Sequence, residues 1–111
     1  MSFSQGEILL VSMLFTDGSA AKKRPVMVAW DGGDDDLLVA PVTSHTARSQ
    51  RDVALTQWQK AGLRLPSIVR LEKLATVEKS RIIRRLGGIE ATDWAAIKPA
   101  LNQFFADIIA G

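Results

Sequence analysis

Residues 22–44 run Lys22-Lys23-Arg24-Pro25-Val26-Met27-Val28-Ala29-Trp30, Asp31-Gly32-Gly33-Asp34-Asp35-Asp36, Leu37-Leu38-Val39-Ala40-Pro41-Val42-Thr43-Ser44. Two apolar runs around a glycine- and aspartate-rich turn predict a β-hairpin. The glycines supply positive φ and the aspartates solvate the tip. Four aspartates in six residues could suit Mg²⁺ or Ca²⁺, but the spacing lacks the EF-hand pattern and its glutamate, so the stretch reads as an acidic turn. Because hairpin strands are antiparallel, the start of the first and the end of the second lie together. Arg24, just behind Lys22-Lys23, is thereby brought towards the hydroxyls of Thr43 and Ser44, a candidate phosphate-handling site.

Before the hairpin, Gly6-Glu7 followed by ILLVSMLF predicts a strand whose continuous apolar run points to burial on both faces or to a dimer contact. Residues 16–23 (TDGSAAKK) read as a mobile loop. After the hairpin, His45 to Arg51 is a polar loop with two arginines, Arg48 and Arg51. Asp52-Val53-Ala54-Leu55 is a short strand, and residues 56–63 form a helical turn stopped by Gly62. Ser67 to Leu74 alternates apolar with polar as a half-buried strand does, placing Arg70 and Glu72 on one face. Residues 76–85 fit a short helix or a last strand ending at Gly87-Gly88.

At the end of the chain, Thr92 or Asp93 can cap a helix in which Trp94, Ile97, Leu101, Phe104, Phe105 and Ile108 recur at helical spacing. Pro99 is expected to kink or divide it. The fold class is therefore mainly β with a C-terminal helix, a small, strongly bent sheet or barrel.

The 111-residue length fits one domain, 1–111. With 47% hydrophobic and 23% charged residues, order is the expectation. No apolar run is long enough to span a bilayer and the N-terminus has no signal-peptide pattern, so a cytoplasmic protein without membrane contact is expected. Cysteine is absent and His45 is the one histidine, which excludes thiolate chemistry and multi-histidine metal sites; no metal or cofactor is expected. Residues 45–85 hold ten Lys or Arg against three acids, an excess of seven. That footprint fits a polyanion binder or a solvated basic face.

The strings GEILLV, TDGSAAKK, KRPVMV, LLVAPVTS, WQKAGLRLPSIVRLEKL and TVEKSRIIRRLGGI, in this order from Gly6 to about Leu101, resemble the PemK/MazF family of toxins from type II toxin–antitoxin pairs. The resemblance implies a homodimeric SH3-like (PemK/MazF/CcdB-type) β-barrel that cleaves single-stranded RNA without metal and is inhibited by a cognate antitoxin. Alternatives on the same fold are a non-catalytic binder of nucleic acid and a CcdB-like gyrase poison.

Arg24 matches the family's strand-start arginine, and its planar guanidinium suits a phosphorane. Thr43 matches the strand-end threonine, with Ser44 beside it. Some members carry an Arg-x-Asp pair where Arg70 and Glu72 stand, which makes Glu72 the candidate general base; an ion pair is its commoner fate. His45 departs from the family pattern, in which a polar residue is usual here, and the first loop lacks the histidine some relatives place there. His45 fits a proton shuttle or an ordinary loop residue. Lys22, Lys23, Ser44, His45, Arg48, Arg51 and Arg70 are the expected substrate contacts.

Overall fold

A computed structural model of the protein describes residues 2–13, 22–47 and 49–111. The elements in chain order are β1 (Glu7–Met13), β2 (Lys22–Trp30), β3 (Asp36–Thr43), β4 (Asp52–Ala54), β5 (Ile68–Arg70), β6 (Ala75–Glu78), β7 (Ile82–Gly88) and α1 (Ala91–Ala110). The paired strands are antiparallel, in the order β4-β5-β3-β2-β1-β7, with β6 also on β3. Among the described residues β4 and β7 do not pair with each other, so the expected barrel is a curved sheet left open. The expected hairpin is β2–β3, with Val26 opposite Pro41 and Val28 opposite Val39.

On its other side β3 meets β6 along residues 36–39 and β5 at 42–43. Pro41 stands where one partner gives way to the other, a place where a missing N–H is cheap. Between the pairs Val42↔Val69 and Val39↔Ala75, β3 advances three residues and its partner six. The three extra residues, Leu71–Lys73, are looped out as a 3-10 turn. The strand expected from Ser67 to Leu74 is therefore interrupted, because Leu71 turns into the core and its N–H donates to the Arg51 carbonyl at 3.2 Å. Residues 76–85, left between helix and strand on sequence, become the end of β6, a 3-10 turn at Lys79–Arg81 and the start of β7.

The core lies on both faces of the sheet. Ile8, Met27, Ala40, Val42, Val69 and Leu71 pack with Leu55, Ala61 and Ile97 on one side, while Leu9, Val11, Val26, Val28, Leu37, Val39 and Val77 pack together on the other. Each fully buried aliphatic side chain of this kind stabilises the fold by about 1.5–3 kcal/mol. The unbroken apolar run of β1 thus fills two clusters. Leu14 and Phe15, at the end of that run, lie outside the described residues, as do residues 16–21 of the loop expected over 16–23; its last two, Lys22 and Lys23, belong instead to β2, where they pair with Met13 and Ser12.

The turn over residues 58–62 is pressed against β7. Gly62 has φ +88°, and a Cβ there would stand 2.1 Å from the Leu86 carbonyl oxygen; at Gly87 it would stand 2.4 Å from the Ala61 oxygen. Only two glycines let these backbones meet.

Helix α1 is continuous through Pro99. Ala95, whose carbonyl loses its partner there, is exposed as Pro99 is, so water can take the vacant acceptor and the expected division does not occur. Glu90 occupies the N-cap position without a side-chain cap bond. Asp93, expected as a cap, is buried and turned away from its own helix, accepting from Thr56 N at 2.8 Å, Thr56 Oγ1 at 2.7 Å and Gln57 N at 2.9 Å. Burial works against this carboxylate, but the three hydrogen bonds outweigh it and hold its pKa below the ordinary 3.8.

Candidate functional site

Strand register assembles the site. Leu10 on β1 stands opposite Pro25 on β2 and opposite Arg84 on β7. Arg24 stands opposite Val11, and extending the β2–β3 register two residues beyond Val26↔Pro41 sets Arg24 against Thr43. Leu10, Arg24, Pro25, Pro41, Thr43 and Arg84 all line a cleft of about 880 Å³ at this end of the hairpin. Ser44, His45 and Thr46 continue its wall beyond β3, and Gly62, Leu63, Arg64, Leu65 and Ser67 form the facing wall. That second wall is the segment held against β7 by the glycine contact.

Among the described residues, four arginines (24, 64, 70 and 84), one imidazole and several hydroxyls line the cleft, and none of these lining residues is acidic. Such a surface attracts a polyanion and offers forked donors to phosphate oxygens. The described lining offers no carboxylate of the kind that holds a hard cation. Among the described residues no group of three or more His, Asp or Glu could hold a metal ion.

Of the expected site residues, Arg24, Thr43, Ser44, His45 and Arg70 are brought together here. The His45 N–H donates to Thr43 Oγ1 at 3.2 Å, so the two residues share one tight turn. Lys22 and Lys23 are exposed on β2 just outside the lining. Arg48 lies outside the described residues.

Two expectations change. Glu72 does not share a strand face with Arg70, because β5 ends at Arg70 and Glu72 sits exposed in the looped-out turn, away from the cleft lining. The partner of Arg70 is Asp52, directly opposite on β4, with Nε 3.4 Å from Oδ1. Arg51 is turned to the helix: it pairs with Asp107 and covers the Phe104 ring, with its guanidinium carbon 5.1 Å from the centroid. It is not among the cleft lining.

Arg64 and Arg84 were not singled out from the sequence. Arg84 and Arg85 are consecutive on a strand and face opposite ways. Arg85 goes to Glu7, Nε to Oε2 at 2.8 Å, and Arg84 to the cleft. The signal was present in IIRR, but choosing between the two needed the register of β7 against Leu10.

Comparison with known proteins agrees with this fold. Residues 4–105 match the model of the PemK-like, MazF-like toxins of type II toxin–antitoxin systems. The chain belongs to this family. Among solved structures, the Mycobacterium tuberculosis toxin MazF-mt6 is similar to this toxin with a TM-score of 0.71 at 23% identity, covering 90% of this chain and 96% of that one. A mycobacterial endoribonuclease in complex with its cognate antitoxin gives 0.76 at 14% identity, over 95% and 96%. A MazE–MazF complex from Deinococcus radiodurans gives 0.74 at 17%, over 92% and 94%. At these identities the likeness is one of fold. No curated protein sequence matches the chain.

Proposed function

We propose that this toxin is a metal-independent endoribonuclease that cuts single-stranded RNA by attack of a ribose 2′-OH on the adjacent phosphate. The observation that carries the reading is the cleft: Arg24 on β2 and Thr43 on the neighbouring β3 both line it, with Arg70 and Arg84, and no acid stands among its described lining residues. The 2′-oxygen forms a bond to phosphorus, the bond to the 5′-oxygen breaks, and the 2′-OH proton ends on the leaving oxygen. The products are a 2′,3′-cyclic phosphate and a 5′-OH. DNA lacks the nucleophile and is bound without being cut.

In this reading Arg24 stabilises the charge gathering on the phosphorane, a task suited to a guanidinium that hardly deprotonates. The hydroxyls of Thr43 and Ser44 orient the phosphate. Among the described lining residues His45 carries the imidazole, whose two ring nitrogens can accept and donate a proton, so proton transfer is assigned to it rather than to Glu72. The toxin acts in the cytoplasm as a homodimer, and a cognate antitoxin blocks it by offering carboxylates and apolar anchors to the same basic cleft.

The test is cleavage of a single-stranded RNA in EDTA by wild type and by Arg24→Ala. Loss of cutting on substitution is expected. Equal rates would remove Arg24 from the mechanism, and growth arrest with RNA left intact by wild type would favour a gyrase poison instead.

A further inference from the structure

Resting on the ribonuclease reading above, we infer that Asp52 is a positioning residue for the RNA site, acting through Arg70. Asp52 has a side chain with 0% exposure, whereas its partner Arg70 is 22% exposed and lines the cleft. A carboxylate so far from water is tolerated only when its oxygens are occupied. One oxygen takes the Arg70 Nε at 3.4 Å and the other takes the Ser49 N–H at 3.2 Å. The Ser49 carbonyl in turn accepts from Asp52 N at 3.1 Å, closing a small rigid turn just before β4.

The geometry separates two tasks within one guanidinium. Asp52 engages Nε, the nitrogen nearest the main chain, and the two terminal nitrogens stand beyond it on the fork. Those are the donors that grip phosphate oxygens in pairs. No acid stands among the described lining residues of the cleft, and this carboxylate lies outside that lining on β4, paired with Arg70, which belongs to it. Arg51, the preceding residue, faces α1 instead, so the turn over 49–52 is anchored from the helix side independently.

The experiment is a double-mutant cycle read on cleavage and on affinity for a 2′-O-methyl RNA oligonucleotide, which binds without being cut. Asp52→Asn is expected to lower kcat/KM and affinity about tenfold, the scale of one misplaced charge-assisted contact. Arg70→Gln should lower them at least as far, and the double variant no further than Arg70→Gln alone. Additive losses would show that Asp52 acts on the fold rather than through Arg70.

Two further variants guard against trivial unfolding. Arg70→Lys keeps a cation for Asp52 and should keep the denaturation midpoint, yet it loses affinity as Arg70→Gln does, because one ammonium cannot serve both partners. Full affinity in Arg70→Lys would overturn the inference even if Asp52→Asn fails to fold. Asp107→Ala, which loosens the same turn from the helix side, should leave kcat/KM unchanged; a tenfold loss there would also overturn it. Wild type that neither binds nor cuts RNA defeats the ribonuclease reading and this inference with it, whereas active wild type with additive losses defeats only the inference.

Discussion

The two ends of the β2–β3 hairpin are built from opposite chemistry. At the turn, Asp31 is closed in by donors: Gly33 N at 2.9 Å, Lys79 Nζ at 2.9 Å and Phe3 N at 2.8 Å. The hydrogen bond from Gly33, then Lys79 and the Phe3 amide, lower its pKa from 3.8 to about 2. Asp34 likewise accepts from Asp36 N at 3.0 Å. At the other end Arg24, Thr43, Ser44 and His45 line a cleft of about 880 Å³. Carboxylates saturated by backbone and lysine donors hold the hairpin shut at the turn, whereas the other end turns its polar groups toward a cleft. Dense charge in a sequence does not distinguish these fates; the number of donors the fold brings to each group does.

This contrast is tested most severely by substituting one residue at each end. Arg24→Ala should cost about 10²–10³ in kcat, as loss of a transition-state donor does elsewhere, with a smaller shift of the denaturation midpoint than Asp31→Asn brings. Thr43→Ala should cost about tenfold, a barrier change near 1.4 kcal/mol, with only the small loss of stability expected from removing the acceptor of the His45 N–H. Asp31→Asn should do the reverse, lowering the urea midpoint while the folded fraction cuts RNA at the wild-type rate. Equal losses of rate and of midpoint at the two ends would erase the distinction.

Acid sharpens the same contrast. Because the folded pKa of Asp31 lies below its ordinary 3.8, at about 2, the unfolded chain takes up the proton first. The stabilisation from this carboxylate is therefore complete above pH 3.8 and lost as pH falls towards 2. Asp93, with its pKa also depressed, contributes in the same direction. Acid unfolding followed by circular dichroism should show a shallower loss of stability over this range in Asp31→Asn than in wild type. The smallest effect belongs to Lys22 and Lys23, exposed just outside the lining. Each replacement by alanine should lower the dependence of log K on log salt by about 0.7 for single-stranded RNA if that lysine meets a phosphate.

The hairpin, the buried first strand and the terminal helix were legible because each rests on a local pattern: a turn flanked by apolar runs, an unbroken apolar stretch, a helical repeat. That Arg24 and Thr43 line one cleft followed from antiparallel geometry alone. Glu72 was misplaced because alternation in IVRLEKL continues across a three-residue insertion, and only pairing with β3 reveals that Leu71–Lys73 are looped out. Arg51 was misassigned for a related reason: its partners Phe104 and Asp107 are more than fifty residues away. Pro99 misled in the other direction, since a proline on an exposed helix face breaks less than its propensity implies. Local signals locate elements, and long-range register decides which charges face the cleft.

Asp93 also bears on how the molecule opens. Its carboxylate ties the amides of Thr56 and Gln57 to the first turn of α1, so the helix cannot lift from the sheet without stripping those amides of their acceptor. Thr56 and Gln57, although in a connecting segment, should exchange their amide hydrogens at the rate of the helix and not at that of a loop. The segment that follows them forms one wall of the cleft. The lifetime of that wall is then set by the undocking of a helix at the far end of the sequence.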